Sequence, residues 1–425
     1  MDKSDYKIYI IGAGVSGLIA ALGLEEKGYS PIVLESTAGI GGRVKTSYED
    51  KVPLDHGFQV LLTAYPMVRK YLDIDALGPC YFDSGAAIHC KGEVTQIGDP
   101  LRNPYLFFPT LVSNAATIKD KMRIFLLQCE LKRKSIDEIF DAPEQTTLQY
   151  LKDKGFSDVV IRRFFLPFFS GIFLEHELST SSRMFEFVYK MFGEGRAMIP
   201  KKGIAEVPYQ LRSQLVRTKI HLNNEVVEVN DGNIVLQNGK RLASHFTIIA
   251  TDANNLVKNL RKQHIAWKKC DTLYFKVAVS KSRRSLIHLV ADGNTLINNV
   301  VFVSNQLNLN GSNEVISVTV VKPHAHHIEI LKEKVAHELR QLFGFTSLEF
   351  IKHFPIVNAL PDISNLKNDV PPEETRLTTR IFLAGDTLLN GSLNAAMKSG
   401  ERAAQGVVNL LEKSPDLAQF TSEYL

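Results

Sequence analysis

The chain has 425 residues, 44% of them hydrophobic and 23% charged, with 50 basic against 46 acidic side chains. That length is ample for two or more hydrophobic cores, and the balance excludes collagen, coiled coil and intrinsic disorder. A net charge of +4 is too mild to imply nucleic acid as a partner, and basic runs such as Lys132-Arg133-Lys134 and Lys281-Ser282-Arg283-Arg284 read as solvated faces.

Cys80, Cys90, Cys129 and Cys270 are scattered and form no CxxC pair. They offer neither zinc ligands nor a disulfide framework, so no metal site is expected and a reducing, cytoplasmic compartment is implied. A strand-like run begins at Lys7 with no basic leader or cleavage site ahead of it, so no signal peptide is expected. The absence of any run of about 18 apolar residues predicts no spanning helix.

Ile8-Tyr9-Ile10-Ile11 reads as a buried strand, Val15 to Lys27 as a helix ended by Gly28, and Pro31-Ile32-Val33-Leu34 as the next strand. Between the first strand and the helix lies Gly12-Ala13-Gly14-Val15-Ser16-Gly17. In such a turn Gly12 permits the tight bend, Gly14 lets the backbone approach a pyrophosphate, and Gly17 packs the helix on the sheet. Phosphates then rest on the exposed amides and positive end of the helix, where Ser16 also lies. Glu35 closes the second strand, where an acid accepts hydrogen bonds from ribose hydroxyls and disfavours the 2′-phosphate of NADP.

Gly41-Gly42-Arg43 follows six positions after Glu35. Adjacent glycines let the backbone pass close to a ligand, and an arginine there neutralises pyrophosphate charge or bonds the far half of a dinucleotide. With this motif the sequence resembles the flavin-containing amine oxidoreductase superfamily, whose members carry GxGxxG, an acid, and then GGR with a nearby threonine. The resemblance implies FAD as the cofactor. It also draws attention to Asp55-His56-Gly57-Phe58, where relatives place a segment beside the flavin ring. Two readings stand for His56: an acid or base, or a hydrogen-bonded structural histidine.

From about residue 61 to 190 the signals are mostly helical and aromatic, with Pro100, Pro104 and Pro109 interrupting an apolar segment. Residues 100 to 127 combine Leu106-Phe107-Phe108 with Lys119, Lys121 and Arg123, and read first as a buried helical hairpin. Peripheral contact with a bilayer interface is the second reading. Phe164, Phe165, Phe168, Phe169, Phe173, Phe185, Phe187 and Tyr189 are expected mainly in a core, with a minority lining an apolar cavity.

Residues 220 to 250 give three strand-like runs, Glu225 to Val229, Ile234 to Leu236 and Phe246 to Ala250, with tight turns at Asp231-Gly232 and Asn238-Gly239. They resemble the superfamily's third cofactor segment, with Val226 as the residue that meets the adenine. In the mixed region 271 to 365, Lys276 falls loosely where amine-oxidase relatives carry a lysine near flavin N5; the other reading is an exposed strand lysine.

The last stretch gives a strand, Arg380 to Ala384, then Gly385-Asp386, then Asn390-Gly391-Ser392-Leu393-Asn394 opening a helix that runs to about Leu411. Gly385 lets the chain pass under a ligand and Asp386 can bond ribityl hydroxyls. The helix start at Leu393 and Asn394 would aim its amides at the flavin. The Gly-Asp form is similar to that of the phytoene desaturase and protoporphyrinogen oxidase branch of the superfamily.

The expectation is therefore an α/β protein of two domains. A discontinuous, Rossmann-like FAD domain covers 1–60, 195–270 and 366–425, and a mixed α+β substrate domain covers 61–194 and 271–365. The expected activity is hydride transfer from a C–H bond of an apolar, polyene-like substrate to flavin, with oxygen, a quinone or another group as acceptor. Amine or porphyrinogen oxidation, and a non-catalytic flavin-binding sensor, are the alternatives.

Overall fold

The computed structural model describes residues 2–99, 102–260, 265–278, 284–309 and 313–413; Pro100 and the basic residues Lys281 and Arg283 lie outside the described residues. The strand Ile8–Ile11 is buried at every position, as an unbroken apolar run requires when a sheet is covered on both faces. It is the centre of a five-stranded parallel sheet, between Ile32–Leu34 and Phe246–Ile249, with Lys219–His221 and Ile381–Leu383 at the edges. The sheet thus gathers three stretches of chain far apart in sequence.

The helix Val15–Glu26 carries Leu18, Ile19, Ala20, Ala21, Leu22 and Leu24 and is buried almost all round, so it shows no polar face. It packs against the last helix, Leu393–Lys413, at backbone distance: a Cβ on Gly400 would stand 2.2 Å from the Ser16 carbonyl oxygen. Any side chain at Gly400 would push the two ends of the chain apart.

The other side of the sheet carries a small antiparallel layer, Val226–Asn230, Asn233–Leu236 and Arg241–Ala243. Val226, Val229, Ile234 and Leu236 pack on Tyr9, Ile11, Leu34 and Ile249. Both expected turns are present, and the run at Phe246 leaves this layer to join the parallel sheet.

A second sheet of seven strands runs Leu348–Pro361, Trp267–Ala278, Asn313–Val320, Ile297–Phe302, Ile287–Val290, Gly85–Cys90, Glu93–Gly98. Its last two members correct the expectation of a mostly helical stretch from 61 to 190. Lys91 and Gly92 both adopt positive φ and close a two-residue hairpin, whose first strand pairs in parallel with Ile287–Val290. The pairing partner lies some 200 residues away (|i−j| = 199 between His89 and His288), so local periodicity carried no trace of it.

Helices do fill the chain from 107 to 194. Phe165, Phe169, Phe173, Phe185 and Phe187 are fully buried there, with the Phe169 and Phe185 rings 4.7 Å apart. The expected buried hairpin is overturned. Phe107–Val112 and Ile118–Arg133 are helices, yet Phe108, Val112, Ile118, Met122 and Leu126 are exposed by 57–77%. Their spacing marks an outer apolar stripe on a helix whose inner face, Leu127 and Leu131, is already buried. No helix among the described residues is long and apolar enough to cross a membrane.

Candidate functional site

The glycine turn after Ile11 has the shape a dinucleotide needs. Gly17 meets the turn so closely that a Cβ would lie 2.0 Å from the Gly12 carbonyl oxygen. Gly14 differs: its Cβ would touch only the Gly42 Cα at 3.9 Å, so the space in front of it is open. Gly14 is the N-cap and supplies no side-chain cap, and the first turn holds no acid. The amides of Val15, Ser16 and Gly17 find no acceptor among the described residues, although all three residues are buried. Unsatisfied amides at a buried helix start cost about 1–3 kcal/mol each. An anion held on them removes that cost, so this turn fits a pyrophosphate.

Glu35 stands beside the turn, only 7% exposed. Its Oε2 accepts the Ala13 amide at 2.8 Å, and its Oε1 accepts the Thr37 amide and hydroxyl at 2.9 and 2.8 Å. The acid therefore rigidifies the turn, while Oε2 keeps a lone pair for a ribose hydroxyl. The Glu35 carbonyl accepts the Asn224 amide at 2.8 Å, which brings the segment opened by Val226 to the same edge.

Gly41 and Gly14 form a bridge, and a Cβ on Gly42 would lie 3.2 Å from the Gly14 Cα, so the GGR loop lies directly on the glycine turn. Arg43 leaves this loop towards the far end of the chain. It is ion-paired with Asp386, donates to the Ala359 carbonyl at 3.3 Å and lies 5.1 Å over the Trp267 ring. Asp386 is nearly buried, and its backbone carbonyl accepts the Leu389 and Gly391 amides at 3.1 and 3.0 Å. Gly385, at φ +148 and ψ 155, donates its amide to Ser399 Oγ at 2.9 Å.

The last helix begins under its own cap: Ser392 Oγ accepts the Ala395 amide at 3.0 Å. The Leu393 and Asn394 amides have no acceptor among the described residues. Asn394 turns its side-chain oxygen away from this end, onto the Met67 amide at 3.0 Å, where it holds the helix Pro66–Tyr71.

Around this C-terminal loop lies a cavity of about 370 Å³. Tyr65, Phe173, Met184 and Val188 supply its apolar lining, Ser179 to Ser181 and Asn390 to Ser392 its polar lining, and Lys268, Glu144 and Asp362 its charges. Lys268 donates to Thr180 Oγ1 at 3.1 Å and lies 4.0 Å from Asp362. Sequence reasoning missed it, because which lysine of a long strand faces a cavity depends on two register shifts between Trp267–Ala278 and Leu348–Pro361. Lys276 sits nine residues beyond Trp267, about 30 Å along the strand, 4.0 Å from Glu349. It does not line the cavity.

His56 also lies outside the lining. Its Nε2 is 2.7 Å from Ser47 Oγ and its ring stacks 4.1 Å from Phe354. Burial, then Lys45 and Lys352, lower its pKa. Its neighbour Asp55 is the more perturbed group: burial raises the carboxyl to about 6, against hydrogen bonds from Thr46 Oγ1 at 2.6 Å and the Ile204 amide at 2.9 Å. Those bonds weld the hairpin after the GGR loop to the segment 203–205. Among the described residues no cluster of three or more metal-ligating side chains is present.

Residues 15–408 match the sequence profile of the flavin-containing amine oxidoreductases. Protoporphyrinogen oxidase 2 of Arabidopsis thaliana is 26% identical over 168 residues, which is 40% of this chain and 32% of that relative. The matched stretch thus spans about a third of the curated relative. Cyclohexylamine oxidase from Brevibacterium oxydans superposes with a TM-score of 0.67 at 16% identity, over 96% of this chain and 100% of that one. Putrescine oxidase gives 0.68 at 15% identity, over 95% and 99%. At such low identities these structures establish the fold alone. The chain belongs to the flavin-containing amine oxidoreductase family, a family of FAD-dependent oxidoreductases.

Proposed function

We propose that the protein holds FAD along the line Gly14–Glu35–Arg43–Asp386 and removes hydride from a C–H bond of an apolar, polyene-like substrate. The observation that carries this reading is the cavity of about 370 Å³ beside the C-terminal loop, into which the apolar side chains of Tyr65, Phe173, Met184 and Val188 are gathered. Bound FAD supplies the two-electron acceptor. The chain's own residues do the rest. The Val15, Ser16 and Gly17 amides hold the pyrophosphate, with Gly12 shaping the turn and Gly41 and Gly42 keeping its approach clear. Glu35 takes the ribose, Val226 meets the adenine, and Arg43 offsets phosphate charge while Asp386 fixes its direction.

At the far end, Gly385 would keep the approach clear, Asp386 would accept a ribityl hydroxyl, and the Leu393 and Asn394 amides would stabilise negative charge on the reduced group. Tyr65, Phe173 and Met184 exclude water from the reacting carbon. On this reading the FAD domain comprises 1–60, 195–270 and 366–425, and the substrate domain 61–194 and 271–365. Electrons then pass to oxygen, a quinone or another acceptor. The four unpaired cysteines support a reducing, cytoplasmic setting.

An amine or a porphyrinogen is the second reading: Glu144 and Asp362 of the cavity suit a cationic amine, Lys268 suits a carboxylate-bearing porphyrinogen, and both agree with the activities named for the relatives. Anaerobic mixing with a polyene, a porphyrinogen and a set of amines tests these against one another. Bleaching of the flavin absorbance by the polyene is the expected result; bleaching only by small primary amines overturns the ranking. Bound flavin bleached by none of them points to a non-catalytic flavin-binding sensor.

A further inference from the structure

Tyr65 carries a hydroxyl that the fold does not use. The residue is 7% exposed. Burial alone, with no hydrogen-bonding partner among the described residues, holds its pKa above the ordinary phenol value. Nor is that oxygen sealed into the core, and the space its residue borders is the cavity of about 370 Å³. A nearly buried hydroxyl without a partner is costly, and buried tyrosines ordinarily find one. Tyr71 and Tyr274, buried to a similar degree, donate to Glu401 at 2.7 Å and to the Asp55 carbonyl at 2.8 Å.

The side chain is also fixed in direction. Tyr65 precedes Pro66, which opens the helix Pro66–Tyr71. The next residue, Met67, has its amide held by Asn394 Oδ1 at 3.0 Å, so Tyr65 stands beside the start of the last helix. Its ring stacks 5.6 Å from that of Phe187, which is fully buried.

Other polar groups of the lining are already engaged. Ser392 Oγ donates to Asn390 Oδ1 at 2.7 Å, Asn390 Nδ2 to the Lys367 carbonyl at 2.9 Å, and Ser179 Oγ to Glu175. Glu144 lies 3.4 Å from Arg183. The Tyr65 hydroxyl is left to meet whatever fills the cavity. A pure hydrocarbon there would strip it of water and give nothing back, whereas a ligand with one lone pair in reach would pair it. Sites built to hydrogen-bond a substrate group reject the analogue that lacks it.

We infer that Tyr65 donates a hydrogen bond to the substrate, and that the substrate is an apolar, polyene-like molecule bearing one oxygen acceptor, as in an alcohol, ether or ketone, at the end nearest the last helix. This rests on the reading that the cavity takes the substrate, and narrows it.

Calorimetric titration of the full chain, in the presence of FAD, with all-trans-retinol and with axerophthene, the hydrocarbon that lacks only its hydroxyl, tests it. Wild type should bind retinol about tenfold more tightly than axerophthene. Tyr65→Phe keeps the ring and its stacking and removes one oxygen. It should bring retinol down to the affinity of axerophthene, whose own binding should not weaken. The midpoint of urea unfolding should not fall in this variant, because no bond within the protein is lost. Wild type that binds both probes alike, or neither, overturns the inference. So does a Tyr65→Phe variant that keeps the preference for retinol, or one that loses stability as a tyrosine with a protein partner would. Discrimination by the hydroxyl without bleaching of the flavin supports this inference and counts separately against oxidation of a polyene.

Discussion

Arg43 and Asp386, 343 residues apart in the sequence, are joined by an ion pair that closes the N-terminal glycine loop onto the C-terminal one. The carboxylate is 5% exposed and the guanidinium 42%, so the pair sits at the lip of the site. Removing the arginine leaves a nearly buried carboxylate without its partner, whereas removing the charge of the acid leaves a cation that water still reaches.

Arg43→Met should therefore cost about 1–2 kcal/mol, less than a fully buried pair because solvent screens the lip. Asp386→Asn should cost less. Urea unfolding of both variants checks the asymmetry, and flavin content after gel filtration should fall in both.

Gly14→Val should leave the fold intact and empty the cofactor site. The added Cβ meets only the Gly42 Cα at 3.9 Å, and the side chain beyond it enters the open space before the amides of Val15 to Gly17. The expected result is a near-native melting temperature with little bound flavin. Undiminished FAD occupancy would refute the assigned pocket.

Asp55 gives the protein a pH dependence of uncommon sign for a carboxylate. Its folded pKa is about 6, well above an unfolded value near 3.9, so folding favours the protonated acid. Its contribution is complete below the unfolded value and is lost as pH rises through 6, on the order of 2–3 kcal/mol in all. Glu25, Asp120, Asp369 and Glu401 are depressed and act in the opposite sense, losing stability as pH falls. The informative quantity is the difference between wild type and Asp55→Asn. The variant should gain on wild type between roughly pH 4.5 and 7 in urea unfolding; a constant difference would sink the assignment.

Phe169 is fully buried, 4.7 Å from Phe185 and 5.3 Å from Phe173. Phe169→Ala should destabilise by about 3–5 kcal/mol through the cavity it leaves, read by the midpoint of urea unfolding. Met184→Trp, at the cavity of about 370 Å³ proposed to take the substrate, should act differently. It should slow bleaching of the flavin by substrate by about tenfold or more, while the flavin content stays that of wild type.

The strand, glycine-turn and helix geometry at both ends of the chain was legible in the sequence because its requirements are local. A glycine turn between a strand and a helix, an acid at the next strand end, and a Gly-Asp after an apolar strand each announce themselves within a few residues. What the sequence hid is set by tertiary register. The lysine at the cavity is Lys268 rather than Lys276 because bulges decide which part of a long strand reaches the site. Asn394 faces Met67 rather than the ligand end because another helix needs its first amide held. The hairpin from 85 to 98 escaped notice although its two strands pair locally, and the partner that ties its first strand into the sheet lies far down the chain. The segment at 107–133 read as buried because its apolar count is that of a core helix, and only packing shows which face is left outside.

The central claim is that the two ends of the chain together hold FAD, and the visible spectrum of the purified protein tests it most directly. Bands near roughly 370 and 450 nm, as flavin cofactors give, are the predicted result, in protein as isolated or after reconstitution with FAD. A protein that shows neither band under either condition would contradict the account.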